Sequence, residues 1–471
     1  MLQYAYSPDH FRQQAHQLVD TLADYLQGVV NQDITTVIPY KTPDEALAFW
    51  QADFDKGQGD MDAFFKEVLA HSTHLHHPRY MGHQVPPPAP LAALAGLVSN
   101  ILNNGMAVYE MGMVANPIER ILMEWVAKNC GYDTQAGGLI TSGGTLANLT
   151  ALLAARANCT DVWEEGTTQR LAVMVSDEAH YCIDRAARIM GFGTEGVIKI
   201  PTDSHFKMKT DLLENAYAKA KADGLIVIAV VGSAGSTSTG AYEDLEAIAD
   251  FCERHNIWFH VDGAHGAAVI FSEKYKPLVK GLNRANSMIL DFHKMLLTPA
   301  LATALVFKRG GDAFKTFQQK AQYLWASSDV DWYNSGKRTF ECTKSMICLK
   351  IYALLKAYGE PIFAENVNTL YDLGKKMAEI LGKRDNFELA LMPESNIVCF
   401  RFNNGQIDNL NVFNQVILKK IIERGRFYIV QTTLRNVVYL RVSLMNPLTS
   451  EGDLVALLDE IEEISMLIQV K

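Results

Sequence analysis

The chain has 471 residues, 48% of them hydrophobic and 20% charged, with 43 Lys plus Arg against 53 Asp plus Glu and a net charge of −10. That length supports two or three structural units, and an acidic balance without a dense Lys/Arg block argues against a nucleic-acid surface. Seven cysteines form no CxxC pair and are odd in number, the longest apolar run (225–231) is strand-sized, and residues 1–10 lack the features of a secretory signal; a disulfide framework, a zinc or other metal site and a membrane partner are therefore not expected, and a cytoplasmic location is.

Residues 8–70 read as helix, with Phe11, Ala15, Leu18, Leu22, Tyr25 and Leu26 at helical spacing and Pro39 and Pro43 interrupting the pattern. A loop follows, His76-His77-Pro78-Arg79-Tyr80-Met81-Gly82, ending in Pro86-Pro87-Pro88, and helical patterns return over 89–102 and 117–129. From about residue 138 the texture changes. Short β-prone runs at 171–175, 197–200, 225–231, 257–261, 288–290 and 304–307 alternate with helical stretches, which predicts an α/β fold with a mainly parallel sheet covered by helices. A helix over 345–358, strands at 397–402 and 437–442, and an amphipathic helix over 454–468 predict a smaller C-terminal α+β domain. This gives a helical N-terminal arm (1–80), a large domain (81–345) and a small domain (346–471).

Four features carry chemistry, and three of them, His180, Asp262 and Lys294, follow a strand-like run. In Thr141-Ser142-Gly143-Gly144-Thr145-Leu146-Ala147-Asn148 two glycines allow close approach of the backbone to an anion. The helix that Thr145 opens, with Leu146, Leu149 and Leu153 as its apolar face, would offer free N–H groups and a dipole to a phosphate; an ordinary capped loop is the alternative. Asp262, after the apolar run 257–261, should face a cleft or a cation, or else cap a helix. Lys294 lies between two apolar runs, where an amine is either a candidate nucleophile towards an aldehyde or a snorkelling surface lysine. His180 suits a ring-stacking or acid–base role, or that of a satisfied core histidine. A phosphate loop, an acid, an amine and an aromatic stacker at strand ends are together what pyridoxal 5'-phosphate requires.

On these motifs the sequence resembles the pyridoxal-phosphate-dependent group II amino-acid decarboxylases of fold type I, most clearly from His77 to Lys308. The resemblance implies the fold type I architecture, with a seven-stranded, mainly parallel sheet in the large, cofactor-binding domain. It implies Gly144 and Thr145 at the phosphate with His293 nearby, and His180 stacked on the cofactor ring. Thr237, within Gly235-Ser236-Thr237, would lie near that ring, Ala264 beneath it, Asp262 at the pyridine nitrogen, and Lys294 at the aldehyde. Tyr333 resembles the loop tyrosine that reprotonates the substrate carbon, and Arg441 the C-terminal arginine that holds a substrate carboxylate. Tyr80, in His77-Pro78-Arg79-Tyr80, and Gln84 fall on the substrate side. A homodimer with active sites at the subunit interface is implied too, with the N-terminal arm wrapping the partner and loop 325–340 serving the neighbouring site.

Five positions depart from the family pattern: Gly263 stands where Ala is usual, Leu146 where Glu is usual, and Asp291, Phe292 and Met295 where Asn, Pro and Trp are usual. A carboxylate at position 291, beside a phosphate, is electrostatically unfavourable. The implied reaction is decarboxylation of an L-amino acid, either acidic (glutamate, aspartate or cysteine sulfinate type) or aromatic. The same cofactor also leaves open an aldehyde-forming decarboxylase-deaminase, a carbon–sulfur lyase, an aminotransferase or a non-catalytic binding protein.

Overall fold

A computed structural model describes residues 1–317 and 332–469. The chain forms two compact units, one of Gln84–Lys375 with Leu391–Ile397, the other of Met1–His83 with Lys376–Ala390 and Val398–Lys471.

The larger unit is built on seven strands: β1 (Gly137–Thr141), β2 (Leu171–Ser176), β3 (Val197–Ile200), β4 (Ile226–Ser233), β5 (Trp258–Asp262), β6 (Ser287–Asp291) and β7 (Thr303–Phe307). Their order is β1-β7-β6-β5-β4-β2-β3. β7 runs antiparallel to both its neighbours, and the other pairs are parallel. Every residue of β2, β5, β6 and β7 is buried, which is why these strands read as continuous apolar runs rather than as alternation. The mainly parallel α/β sheet expected from the sequence is thus present, and each of the six runs between 171 and 307 corresponds to a strand. β1 was not expected. A β-carbon at Gly138 would lie 2.4 Å from the Leu305 carbonyl oxygen, so glycine is needed there for close pairing with β7, and the same glycine weakens the strand signal.

The helix Gly144–Cys159 packs on the sheet through Ala147, Ala151, Ala154 and Ala155. The apolar face expected at Leu146, Leu149 and Leu153 is only half-buried: Leu149 and Leu153 pack at the margin of the core. Small side chains let a helix axis lie close to a sheet, and the alanines supply them.

The expected domain boundaries differ from these units. The helix Cys348–Tyr358 packs on the helices Pro90–Leu102 and Ala115–Asn129 and buries Cys348, Ile351 and Leu354, so it belongs to the larger unit rather than to a C-terminal domain beginning at 346. The N-terminal helices Pro8–Val30, Pro43–Lys56 and Met61–Ala70 share a unit with the C-terminal sheet. Hydrogen bonds tie them there: Val37 N–H donates to the Gly425 carbonyl at 2.7 Å, Thr449 Oγ1 to that of Pro78 at 2.6 Å, and Asn446 Nδ2 to those of His76 and His77, both at 3.1 Å.

That smaller unit holds a sheet of β8 (Phe387–Leu389), β9 (Ile397–Phe402), β10 (Val430–Leu434) and β11 (Val437–Ser443), in the order β10-β11-β9-β8. Arg435 and Asn436 both take positive φ in the β10–β11 hairpin, as a two-residue turn of this kind requires. Among the described residues no helix is long and apolar enough to cross a membrane.

Candidate active site

A cavity of about 470 Å³ opens at the carboxyl ends of the strands of the larger unit. Gly144, Thr145, His180, Thr237, Asp262, Ala264, His293 and Lys294 all line it. They arrive from separate places: the turn after β1, the turn after β2, the loop after β4, the end of β5, and the short helix Phe292–Met295 that follows β6. Strand ends of a parallel sheet are where such convergence is expected.

The residues present fit a phosphorylated pyridine aldehyde. Gly143 takes φ +129 in the tight turn out of β1, and no side chain caps the 16-residue helix that follows. Its free N–H groups and dipole therefore remain available to an anion. Across the cavity, Lys294 supplies an amine and Asp262 a buried carboxylate. Asp262 Oδ2 accepts from Asn148 Nδ2 at 3.0 Å and Oδ1 from the Ala264 N–H at 3.2 Å, so it is held on both oxygens and is not a helix cap.

His180 precedes the helix Tyr181–Ile189, and its Nδ1 accepts from the Cys182 N–H at 3.3 Å. A neutral His180 ring thus carries its proton on Nε2. Burial pushes His180 below the ordinary imidazole range, with Asp262 opposing. Lys294 Nζ lies 3.2 Å from Asp291 Oδ2. His293 Nδ1 lies 3.1 Å from the Ala302 N–H and 3.0 Å from the Ala302 carbonyl oxygen, and its Nε2 faces Asp291 Oδ2 at 3.6 Å. Asp291 itself lines the cavity.

The remaining sequence candidates lie elsewhere. Tyr333 is not among the residues lining the cavity; its ring sits 5.5 Å from that of Tyr109. Residues 325–331 of the loop expected to serve a neighbouring subunit lie outside the described residues. Gln84 belongs to the larger unit, is half-buried, and does not line the cavity. Tyr80 and Arg441 belong to the smaller unit. There Tyr80 forms a parallel bridge to Tyr428 with the rings 5.4 Å apart, and His83 lies 5.8 Å from the same Tyr428 ring. Arg441, buried on β11, is pushed down by desolvation; His83 is lowered chiefly by its own burial, with the Arg441 charge adding to it.

Sequence reasoning passed over two residues that support Asp262. Asn148 closes the glycine motif and sits one helical turn beyond Gly144 and Thr145, a spacing that places all three on one face. His260 is two residues before Asp262 and therefore on the same face of β5. His260 Nε2 lies 2.8 Å from Asn148 Oδ1.

The model of the pyridoxal-dependent decarboxylase conserved domain matches residues 39–403. The chain is 27% identical to the aromatic-L-amino-acid decarboxylase of Bacillus atrophaeus, over 98% of this chain and 96% of that protein. It is 29% identical to the acidic amino acid decarboxylase GADL1 of Homo sapiens, over 84% of this chain and 79% of that protein. The crystal structure of mouse CSAD superposes with a TM-score of 0.85 at 26% identity, covering 95% of this chain and 99% of that one. With a family match over most of its length and relatives that decarboxylate amino acids, the chain belongs to the pyridoxal-dependent decarboxylases and is a pyridoxal 5'-phosphate enzyme that decarboxylates an amino acid.

Proposed function

We propose that the substrate is an acidic L-amino acid, released as its amine and CO2, and that the cavity residues divide the work as follows. Gly144 and Thr145 hold the phosphate, with His293 beside them. His180 covers one face of the ring, Ala264 leaves room on the other, and Thr237 borders it. Asp262 would hold a proton at the pyridine nitrogen, and Lys294 would supply the amine that holds the aldehyde carbon. When bound, pyridoxal 5'-phosphate supplies a conjugated electron sink for the pair released as CO2 departs. The chain's own task is then orientation: the scissile bond must stand perpendicular to the ring, and fixing that angle is a matter of position more than of acid or base strength. Tyr333 returns a proton to the substrate's Cα.

The observation that carries the substrate class is Arg441, a buried guanidinium on β11. A planar fork of donors suits bidentate capture of a carboxylate, and Tyr80 and Gln84 are assigned to the substrate side with it. Assay of CO2 release over L-aspartate, L-glutamate, cysteine sulfinate and the aromatic amino acids should favour an acidic substrate by at least about tenfold in kcat/KM. An aromatic preference would remove Arg441 from this role. The same assay should yield a primary amine; an aldehyde with ammonia would count against Tyr333 as proton donor.

The proposed assembly is a homodimer. Leu94, Leu97, Val98 and Ile101 are exposed at helical spacing on one face of the helix Pro90–Leu102, and Met111 and Val114 are exposed in the segment after it; an apolar helix face left open in this way suits an interface. Light scattering on the active enzyme should return twice the 52.4 kDa chain mass, whereas a fully active monomer would refute the assembly. All seven cysteines are free, which accords with a cytoplasmic location.

A further inference from the structure

Asp291 closes β6 and is 2% exposed. Thr303 Oγ1, from the neighbouring β7, donates to its Oδ1, and Lys294 and His293 face its Oδ2 at 3.2 and 3.6 Å. Its remaining side meets the glycine turn, where a β-carbon at Gly144 would stand 3.4 Å from both carboxylate oxygens. The positive, uncapped end of the helix Gly144–Cys159 is therefore already opposed by an anion that the chain supplies itself. A structural carboxylate needs only partners of opposite charge, and Lys294 provides one. The position goes further, because it sets a fixed negative charge against the turn that would hold a phosphate.

We propose that Asp291 is a built-in competitor of the cofactor's phosphate, balanced by Lys294 in the cofactor-free protein, and that it holds cofactor affinity below what a neutral residue would give. The proposal rests on the reading of Gly144 and Thr145 as the phosphate cradle. A phosphate brings one or two more negative charges into a cavity already lined by two carboxylates, Asp262 and Asp291, and one lysine. At low effective dielectric such a like-charge contact is only weakly screened.

Two ligands separate the effect on phosphate from an effect through Lys294. The first, 4'-deoxypyridoxine 5'-phosphate, has the phosphate and no aldehyde; the second, pyridoxal, has the aldehyde and no phosphate. Fluorescence titration of the full-length, cofactor-stripped protein should show Asp291→Asn binding the first about tenfold more tightly than wild type. Pyridoxal binding should change by no more than about twofold. Unchanged or weaker binding of the phosphate ligand by a folded variant overturns the proposal. Equal tightening for pyridoxal also overturns it, because the effect would then run through Lys294. Should Asp291→Asn melt far below wild type, Asp291→Ser carries the same comparison. Wild-type protein that binds pyridoxal but not the phosphate ligand would overturn the cradle assignment, and the proposal with it.

Discussion

Replacing Lys294 with alanine is expected to lower CO2 release from the preferred amino acid by at least about 10^4-fold, since an amine tethered at the reacting carbon acts at an effective concentration of about 10^5 M or more. No amine added to the buffer approaches that figure, so methylamine should restore only a trace of turnover. Lys294 also forms an ion pair with Asp291 at 3.2 Å, and alanine removes that charge along with the nucleophile. Lys294→Arg separates the two effects. The guanidinium keeps a cation beside Asp291 but is too weak a nucleophile to react with an aldehyde. Both variants should be equally inactive, while only Lys294→Ala should leave Asp291 as an unbalanced buried charge and lower the melting temperature. Steady-state assays and thermal melts on the two proteins read these outcomes directly. Turnover within about tenfold of wild type in either folded variant would take Lys294 out of the chemistry.

The larger unit was legible in the sequence because its strands are buried on both faces, and unbroken apolar runs between helical patterns have few other readings. What escaped was set by contacts distant in sequence. β1 owes Gly138 to the backbone of β7, and β10, Val-Gln-Thr-Thr-Leu, alternates half-buried and exposed positions up to the buried Leu434 at the edge of its sheet, so neither offers an apolar run. The N-terminal helices were recognisable as helices, but their place beside the C-terminal sheet depends on Asn446 and Thr449, more than 350 residues away. The site divides the same way. His180, Thr237, Asp262 and Lys294 follow strands that the sequence pattern marks, whereas Asn148 and His260 show their part only through the hydrogen bonds that lead to Asp262. An asparagine within a helix and a histidine within a strand reveal nothing until the fold brings them to 2.8 Å.

That pairing underlies the second large effect: Asp262→Asn should lower kcat by about 10^2- to 10^3-fold, the usual consequence of losing one preorganised electrostatic partner. The variant nearly preserves shape, so the expected loss is one of charge and polarity. Trp258 Nε1, a group that can only donate, gives its hydrogen to Ser287 Oγ at 2.9 Å, and Ser287 Oγ lies 2.8 Å from His260 Nδ1. Burial pushes His260 down to about 4, so its ring is neutral at physiological pH and carries one proton. Asn148 must turn its NH2 to a carboxylate at Asp262, so its Oδ1 accepts from His260 Nε2. His260 Nδ1 is then bare and takes the Ser287 hydroxyl hydrogen. Four buried side chains thus pass donors in one direction, ending on Asp262 Oδ2. A carboxamide at 262 must set its NH2 against either Asn148 Nδ2 or the Ala264 N–H, donor against donor, and in both orientations it lacks the charge that would hold a proton at the pyridine nitrogen. His260→Phe, which breaks the chain one step back, should cost less, about tenfold in kcat with KM little changed. Steady-state kinetics on the two variants, with circular dichroism to confirm folding, test the order of effects. If His260→Phe were as damaging as Asp262→Asn, the chain of donors would have to be doing more than orienting the carboxylate; if Asp262→Asn stayed within about threefold of wild type, Asp262 would not be the residue that holds the proton at the ring nitrogen.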